Sequence, residues 1–171
     1  MSTEFSFETV FVAPSVRTIL EAYFEPDHLA AQDVVGQLGD RTVVENIEND
    51  AMRKCTWSVR SLRPLPMFVR PFIEGGHLRY LETMTWRKAA DEIDLNIAPQ
   101  ILGGRVAITA TYKLTPAGDR MVRRRYKGAI TANITLLSGK IERAILTEIE
   151  KGMPSMTECT QGWLSQYRGT P

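Results

Sequence analysis

The chain has 171 residues, a length at which we expect one domain with a core large enough to fold without disulfide bonds. Its formal net charge is +1, which argues against a general attraction to nucleic acid or to an anionic membrane. Two cysteines are too few for a disulfide framework, no apolar run approaches the ~20 residues that cross a bilayer, and the first residues lack the parts of a signal peptide, so we expect a cytoplasmic protein.

The first predicted elements are one strand and two helices. Alternating phenylalanines predict a strand over residues 5–12. Pro14 is placed to open a helix, because its missing amide hydrogen would be unpaired in a first turn. Apolar residues then recur at helical spacing, and a second short helix is predicted over about residues 28–37, ended by Gly36 or Gly39.

Six more strands follow in the prediction, from period-two alternation and turn residues, over residues 41–49, 52–62, 77–87, 91–98, 105–114 and 120–131. Residues 115–119 contain proline and glycine and are predicted to form a turn. Consecutive strands joined by short turns favour an antiparallel meander.

Residues 63–76 interrupt these strands. They contain three prolines, which exclude a central strand, and too many apolar side chains for a solvated linker. We therefore predict a short helix or loop that packs over an opening, with residues 64–76 as a candidate gate.

A long amphipathic helix is predicted from Ile141 onward, because Ile141, Ile145 and Ile149 form one apolar stripe. Gly152 and Pro154 are expected to kink or break this helix before it resumes. A strongly curved sheet that faces one such helix leaves space between the two layers. The order of elements therefore predicts a fold with an internal cavity between the sheet and the helix.

Three stretches carry a resemblance to a known group of proteins. Val12-Ala-Pro14 followed by Val16 resembles the strand-to-helix entry of the START-like superfamily, also called SRPBCC. Two further stretches are similar to a bacterial branch of that superfamily catalogued as of unknown function: Leu65-Pro66 through Phe72 with Tyr80-Leu-Glu82-Met-Thr-Trp86, and Leu136-Leu-Ser-Gly139-Lys-Ile-Glu142.

The resemblance spans about residues 5–163 and implies the helix-grip fold of the α+β class. In this fold a curved antiparallel seven-stranded sheet is wrapped around a long C-terminal helix, with two short helices after the first strand. The superfamily includes START lipid-transfer domains, the birch-pollen-allergen family, polyketide cyclases and coenzyme Q-binding proteins. We accordingly expect a single START-like domain over residues 1–171.

The superfamily implies a hydrophobic cavity between sheet and helix, but no particular reaction, because it contains both enzymes and carriers. Ligand sites are concave and largely apolar, and a curved sheet over one helix rarely fills its own interior. An ordinary hydrophobic core would also accommodate each aromatic or methionine side chain that faces inward. With that alternative open, we expect these residues to line a ligand cavity: Trp57, Met67, Phe68, Phe72, Tyr80, Glu82, Met84, Trp86, Leu95, Ile97, Ile108, Tyr112, Arg123, Arg125, Ile141, Ile145 and Ile149.

Glu82 stands out because it lies between Tyr80 and Met84 on the face that we take as inward. A buried carboxylate needs a partner or a raised pKa, and we expect Arg123 or Arg125 to be that partner. Glu82 then either orients the polar end of a ligand or belongs to a structural ion pair.

The run Arg123-Arg124-Arg125-Tyr126-Lys127 is the densest group of basic residues. On a strand it splits between two faces: Arg123, Arg125 and Lys127 on one, Arg124 and Tyr126 on the other. It is interpreted as a solvated strand face or as a site for a phosphate or an anionic lipid head group. Nucleic acid is disfavoured, because the chain lacks the aromatic interleaving that stacks on single strands.

No cofactor and no metal are expected. His28 and His77 form no metal-spaced cluster with Cys55 or Cys159. A nucleophile pair of Cys55 and His77 has no support beyond the presence of both residues. The sequence also contains no nucleophile elbow and no phosphate-binding glycine loop.

Together these patterns predict a protein that binds, and in one interpretation carries, a hydrophobic or amphipathic small molecule such as a lipid, sterol, isoprenoid or polyketide. The alternatives are a cyclase or hydrolase-like enzyme, with Glu82 and Tyr80 or Tyr112 as an acid–base pair, and an interaction protein with a filled interior. Only one inward acid is evident, which disfavours the enzyme. We expect no nucleic-acid partner and at most transient membrane contact, and the oligomeric state stays open.

Overall fold

The computed structural model of the chain describes residues 2–101 and 103–167, and for Glu74 only the backbone. The predicted domain of residues 1–171 therefore falls partly outside the described residues. That the whole chain is one domain stays a prediction.

The described chain contains seven strands and three α-helices in the predicted order. The strands are β1 Ser2–Val12, β2 Leu38–Glu48, β3 Met52–Ser61, β4 Arg79–Arg87, β5 Glu92–Pro99, β6 Val106–Gly118 and β7 Met121–Ala132. The helices are α1 Val16–Ala22, α2 Pro26–Gly36 and α3 Ser138–Gln166.

All seven strands form one antiparallel sheet in the order β1-β7-β6-β5-β4-β3-β2. Strands β2 to β7 follow one another as a meander, and β1 adds to the outer side of β7, with Phe5 opposite Gly128. The two edges are β1 and β2, so the sheet is open rather than closed into a barrel. The predicted helix-grip arrangement, an antiparallel seven-stranded sheet with a long C-terminal helix, is confirmed.

The helix ends follow ordinary capping chemistry. Ser15 is the N-cap of α1, and its hydroxyl accepts a hydrogen bond from the Thr18 amide at 3.2 Å. Pro14 therefore precedes the cap instead of lying in the first turn. Pro26 does take that position in α2, which ends at a left-handed Gln37.

Two predicted interruptions differ in the structure. Residues 115–117 continue β6, and Pro116 lies opposite Val122 of β7 next to a bulge. The strand tolerates Pro116 because the pairing of β6 with β5 ends at Lys113. The amide hydrogen that proline lacks would point to this unpaired edge, so no hydrogen bond of the sheet is lost. The helix α3 runs through Pro154 without a break.

The sheet and the helices bury two apolar clusters. The larger one lies between the concave face of the sheet, α1 and the middle and end of α3, and contains Phe11, Tyr23 and Trp86. The smaller one lies under residues 62–78, which connect β3 to β4 through two 3-10 turns, and it includes Val69 and Ile141. Within the described chain, no helix is long and apolar enough to cross a membrane.

Candidate functional site

The concave face of the sheet is built by alternate residues of each strand. On β4, Glu82, Met84 and Trp86 are buried, while the threonines between them are only half-buried. Antiparallel register carries this face across the sheet, with Met84 opposite Leu95 on β5 and Leu95 opposite Ala110 on β6. The predicted inward residues on β4 therefore lie on the buried face of the sheet.

Most of the predicted lining residues come together on this face. Those from the sheet that lie in, or pack against, the larger cluster are Trp57, Tyr80, Met84, Trp86, Leu95, Ile97, Ile108 and Tyr112. Ile145 and Ile149 pack against the same cluster from α3. Aromatic rings occupy part of the interior, and Tyr112 stacks on Tyr23 with ring centroids 4.9 Å apart.

The remaining predicted residues lie elsewhere. Phe68, Phe72 and Ile141 belong to the smaller cluster under the segment 62–78. Met67, in that segment, is 79% exposed. Met67 is therefore separated from the concave face, because its side chain points to solvent.

Arg123 and Arg125 lie on the outer face of β7, where each forms an ion pair of 3.1 Å with Glu8 of β1. The prediction that one of them pairs with Glu82 is wrong. The prediction placed the odd-numbered residues of β7 on the inner face, but the even-numbered residues lie there, so Arg124 is the arginine that points inward.

Glu82 is instead paired with Arg41 of β2, whose Nη2 lies 3.4 Å from Glu82 Oε2. Arg41 also donates two shorter hydrogen bonds to the Asp33 carboxylate of α2, at 2.7 and 2.8 Å. Its guanidinium lies 5.4 Å from the centre of the Trp57 ring. Because Asp33 holds both short bonds, Glu82 is the weaker partner of this cation.

These contacts shift the pKa values of the cluster. Burial raises the pKa of Glu82 above its ordinary value, and the charge of Arg41 only partly opposes this. Burial, followed by the charge of Glu82, raises the pKa of Tyr80 as well. Burial also disfavours the charge on Arg41, but the hydrogen bonds to Asp33 and the charge of Glu82 outweigh it and raise the pKa of Arg41.

A second buried cation, Arg124, lies on the same concave face. It donates to the hydroxyls of Tyr23 at 2.6 Å and of Thr157 at 3.2 Å. The rings of Phe11 and Tyr112 lie 5.0 and 5.4 Å from its guanidinium carbon. These contacts join α1, β7 and α3 around one positive charge.

His28 serves the packing of α2 against α3. Its Nε2 lies 3.0 Å from the Thr160 hydroxyl, to which Gln32 also donates at 3.2 Å. Burial lowers the pKa of His28 to about 4, so this imidazole is neutral at pH 7. Among the residues that the structure describes, no group of three or more His, Cys, Asp or Glu side chains is placed to hold a metal ion.

Two surface concavities lie outside the sheet–helix interior. One of about 400 Å³ lies between the segment 62–78 and the adjoining ends of β3 and β4, lined by Leu62, Arg63 and Leu78 among others. The other, of about 530 Å³, lies on the outer face of the sheet, lined by Thr83 and Lys127 among others. Neither is lined by Glu82 or Tyr112, so the predicted internal cavity stays a prediction.

With this geometry in view, residues 9–164 match a family described as "Protein of unknown function (DUF2505)". The chain belongs to the DUF2505 family. A comparison with the curated proteins finds no match.

Several solved structures are similar in fold to this DUF2505 chain. The Zhui aromatase/cyclase from Streptomyces sp. R1128 is similar at 10% identity with a TM-score of 0.66, covering 97% of this chain and 95% of that chain. Norcoclaurine synthase from Thalictrum flavum, in complex with dopamine and hydroxybenzaldehyde, is similar at 12% identity with a TM-score of 0.61, covering 99% and 90%. A START superfamily protein from Mycobacterium smegmatis is similar at 10% identity with a TM-score of 0.56, covering 95% and 97%. The predicted START-like fold is confirmed.

Sequence reasoning missed Arg41 and Asp33, and took Arg124 for a surface residue. For Arg124 a signal was present, because Val122, Tyr126 and Ile130 share its parity on β7 and are all buried. For Arg41 and Asp33 we find no local signal, because their contact joins a strand to a helix and depends on how the two pack.

Proposed function

We propose that this DUF2505 chain binds, without a covalent bond, a small molecule with a large apolar part between the concave face of the sheet and α3. One observation carries the proposal. Ile97 and Tyr112 on the sheet, and Ile145 and Ile149 on the helix, face the same interior yet remain only half-buried. Residues that sealed each other would be fully buried, as Ile93 and Ile130 are.

Apolar burial would supply the affinity. At roughly 25 cal/mol per Å², covering about 300 Å² of apolar ligand surface contributes about 7–8 kcal/mol before the costs of ordering and lost freedom. The buried tyrosines and tryptophans present flat apolar surface with few rotamers to lose. This composition favours a ligand with rings or a chain over a strongly polar metabolite.

Glu82 is proposed to orient the polar end of the ligand. Glu82 is 7% exposed, and among the residues that the structure describes its carboxyl group receives only the long contact from Arg41. A buried carboxyl group with an incompletely satisfied hydrogen-bonding capacity is a favourable partner for a ligand hydroxyl. Replacing Glu82 by glutamine preserves the volume and removes the charge, and it is expected to weaken binding.

The candidate gate, residues 64–76, is proposed to admit the ligand. Next to it Arg63 pairs with the exposed Glu148 of α3 at 3.1 Å, and the amine of Lys140 lies 4.3 Å from the centre of the Phe68 ring. Exposed contacts of this kind contribute little each and separate readily. Gly75 and Gly76 both have a φ of +72°, a conformation in which glycine carries no steric penalty.

The fold relatives support the proposal without specifying a ligand. One is named an aromatase/cyclase, and another was solved with two small aromatic molecules. At 10–12% identity these likenesses extend to the fold alone.

Native mass spectrometry of the purified protein, followed by titration with a panel of lipids, isoprenoids and polyketides, tests the proposal. We expect a co-purified small molecule, and a change in tryptophan fluorescence that Trp57→Phe or Trp86→Phe diminishes. Ile97→Phe fills the interior and should abolish binding, whereas Asn96→Phe, on the outer face of the same strand, should not. Absence of any bound molecule together with silence across the panel would reject the function.

One observation favours an enzyme as the second candidate. The raised pKa of Glu82 brings its titration closer to neutral pH, as general acid–base catalysis requires. The charge of Glu82 also contributes, after burial, to raising the pKa of Tyr126. Turnover of a bound polyketide or imine precursor that Glu82→Gln abolishes, while binding persists, would establish this alternative.

A further inference from the structure

Arg124 is a buried arginine without an acidic partner. It is 3% exposed, and among the described residues it forms no ion pair within 4.0 Å. Its neighbours Arg123 and Arg125 both reach Glu8, but on the opposite face of the sheet. Because arginine stays protonated in proteins, the interior holds one full positive charge at this position.

The groups around Arg124 stabilise this buried charge, but none of them carries a negative charge that would neutralise it. Tyr23 and Thr157 accept hydrogen bonds as neutral hydroxyls, and the rings of Phe11 and Tyr112 present their faces. Nε of Arg124 is buried and has no hydrogen-bond partner. A buried arginine with a free donor and no counter-charge is costly, because transfer of a lone ion from water is strongly unfavourable.

The other charged groups of the interior do not meet this need. Asp33 and Glu82 both lie against Arg41, and neither forms an ion pair with Arg124 within 4.0 Å. His28 is neutral at pH 7 because burial lowers its pKa. A negatively charged partner for Arg124 would therefore have to come from a bound molecule.

We propose that the ligand carries one carboxylate and that Arg124 binds it, an inference that rests on the binding function proposed above. A carboxylate matches the planar fork of a guanidinium and makes strong charge-assisted hydrogen bonds with it. A monoanion balances the one open charge, whereas a dianionic phosphate would bring a second, uncompensated charge into the interior. Tyr112 and Thr157, which touch the guanidinium from the sheet and from α3, are both half-buried, so the space between these layers adjoins Arg124.

Matched acid and alcohol probes test this assignment on the full chain at pH 7.5. The pairs are dodecanoate with dodecan-1-ol and 2-naphthoate with 2-naphthylmethanol, titrated by calorimetry and by tryptophan fluorescence. We expect at least one acid to bind at least tenfold more tightly than its alcohol. Arg124→Gln should remove this preference, and Arg125→Gln, the same exchange on the outer face, should leave it unchanged.

The outcomes separate the two proposals. If no acid and no alcohol binds but a member of the ligand panel does, the carboxylate assignment is overturned; if the panel is also silent and no molecule co-purifies, the binding function itself fails. If acid and alcohol bind equally to the unaltered protein, or if the preference survives Arg124→Gln, the carboxylate assignment is overturned and the binding function stands. Should Arg124→Gln not fold, Arg124→Lys takes its place: it retains the charge and loses the fork, and a preference that does not decrease would equally overturn the assignment.

Discussion

Replacing Arg41 by methionine tests whether the Asp33–Arg41–Glu82 cluster holds α2 and β2 to the concave face. The side chains of Arg41 and Asp33 are 12% and 14% exposed, and two short hydrogen bonds join them. Methionine retains the packing on Trp57 but leaves two carboxylates without a cation. We therefore expect Arg41→Met to destabilise the folded chain strongly.

The magnitude follows from burial. Removing one partner of a buried pair costs about 3–5 kcal/mol, because the remaining charge stays out of water, and slight exposure places this site near the lower end. The matched control is Arg60→Met. Arg60 pairs with Asp40 at 2.8 Å, but the side chains are 28% and 49% exposed, so its loss should cost less than about 1 kcal/mol.

The loss of unfolding free energy caused by Arg41→Met should also increase with pH. Glu82 has a pKa raised above the unfolded value of 4.5, so its protonated form contributes stability that is complete at low pH and lost as pH rises through the folded pKa. Removal of Arg41 raises that pKa further. The destabilisation of Arg41→Met should therefore grow from pH 5 to pH 8, and Glu82→Gln in the same chain should relieve part of it.

Urea unfolding followed by circular dichroism at pH 5 and pH 8 measures these differences. The reasoning is refuted if Arg41→Met costs no more than Arg60→Met. It is equally refuted if the loss is the same at both pH values, since the charge on Glu82 would then play no part.

Three further changes follow from local geometry, each checked by the same urea unfolding. Gly128→Ala should cost about 1–3 kcal/mol, because its Cβ would press on the Thr109 carbonyl oxygen and lie 2.7 Å from Phe5 Cζ; an unchanged midpoint would contradict the close approach of β6 and β7. Gly162→Ala should gain about 0.5–1 kcal/mol, since no atom lies within 4 Å in the helix α3, and a loss would contradict that open space. Leu136→Gly should gain up to about 1 kcal/mol, because this leucine has a φ of +67° and is 99% exposed, so relief of backbone strain outweighs the freedom that glycine adds to the unfolded chain.

Much of the fold could be predicted from periodicity, because each strand of a sheet with one buried face alternates. The strand β4 shows this clearly, since the predicted inward residues Glu82, Met84 and Trp86 are the buried ones. Two errors came from reading residues in isolation. Proline at position 116 was taken as part of a turn, although it lies in β6 beyond the end of its pairing with β5. Pro154 was expected to kink or break its helix, and the helix continues through it without a break.

The site was harder to predict because its charges meet through tertiary packing. β2 contains register shifts between Gly39 and Thr42 and between Val43 and Glu45, and such bulges upset the alternation that would have placed Arg41. Asp33 reaches Arg41 from a helix, which no strand pattern encodes. Arg124 was misplaced because Arg123 and Arg125, on the opposite face of β7, were expected to point inward.

Glu82 and Arg124 together argue that this interior is shaped by more than stability. Their strand neighbours on the same face are apolar, Met84 beside Glu82 and Val122 beside Arg124, so apolar residues at both positions would suit the core. Replacing buried charges by well-packed apolar side chains is often neutral or stabilising. Within the part of the chain that the structure describes, Asp33 takes both short hydrogen bonds of Arg41, and Arg124 meets neutral hydroxyls and aromatic rings but no acid within 4.0 Å. An acid and a base on the buried face of the sheet, at positions where apolar residues would also pack, support the proposed recognition of a ligand's polar groups.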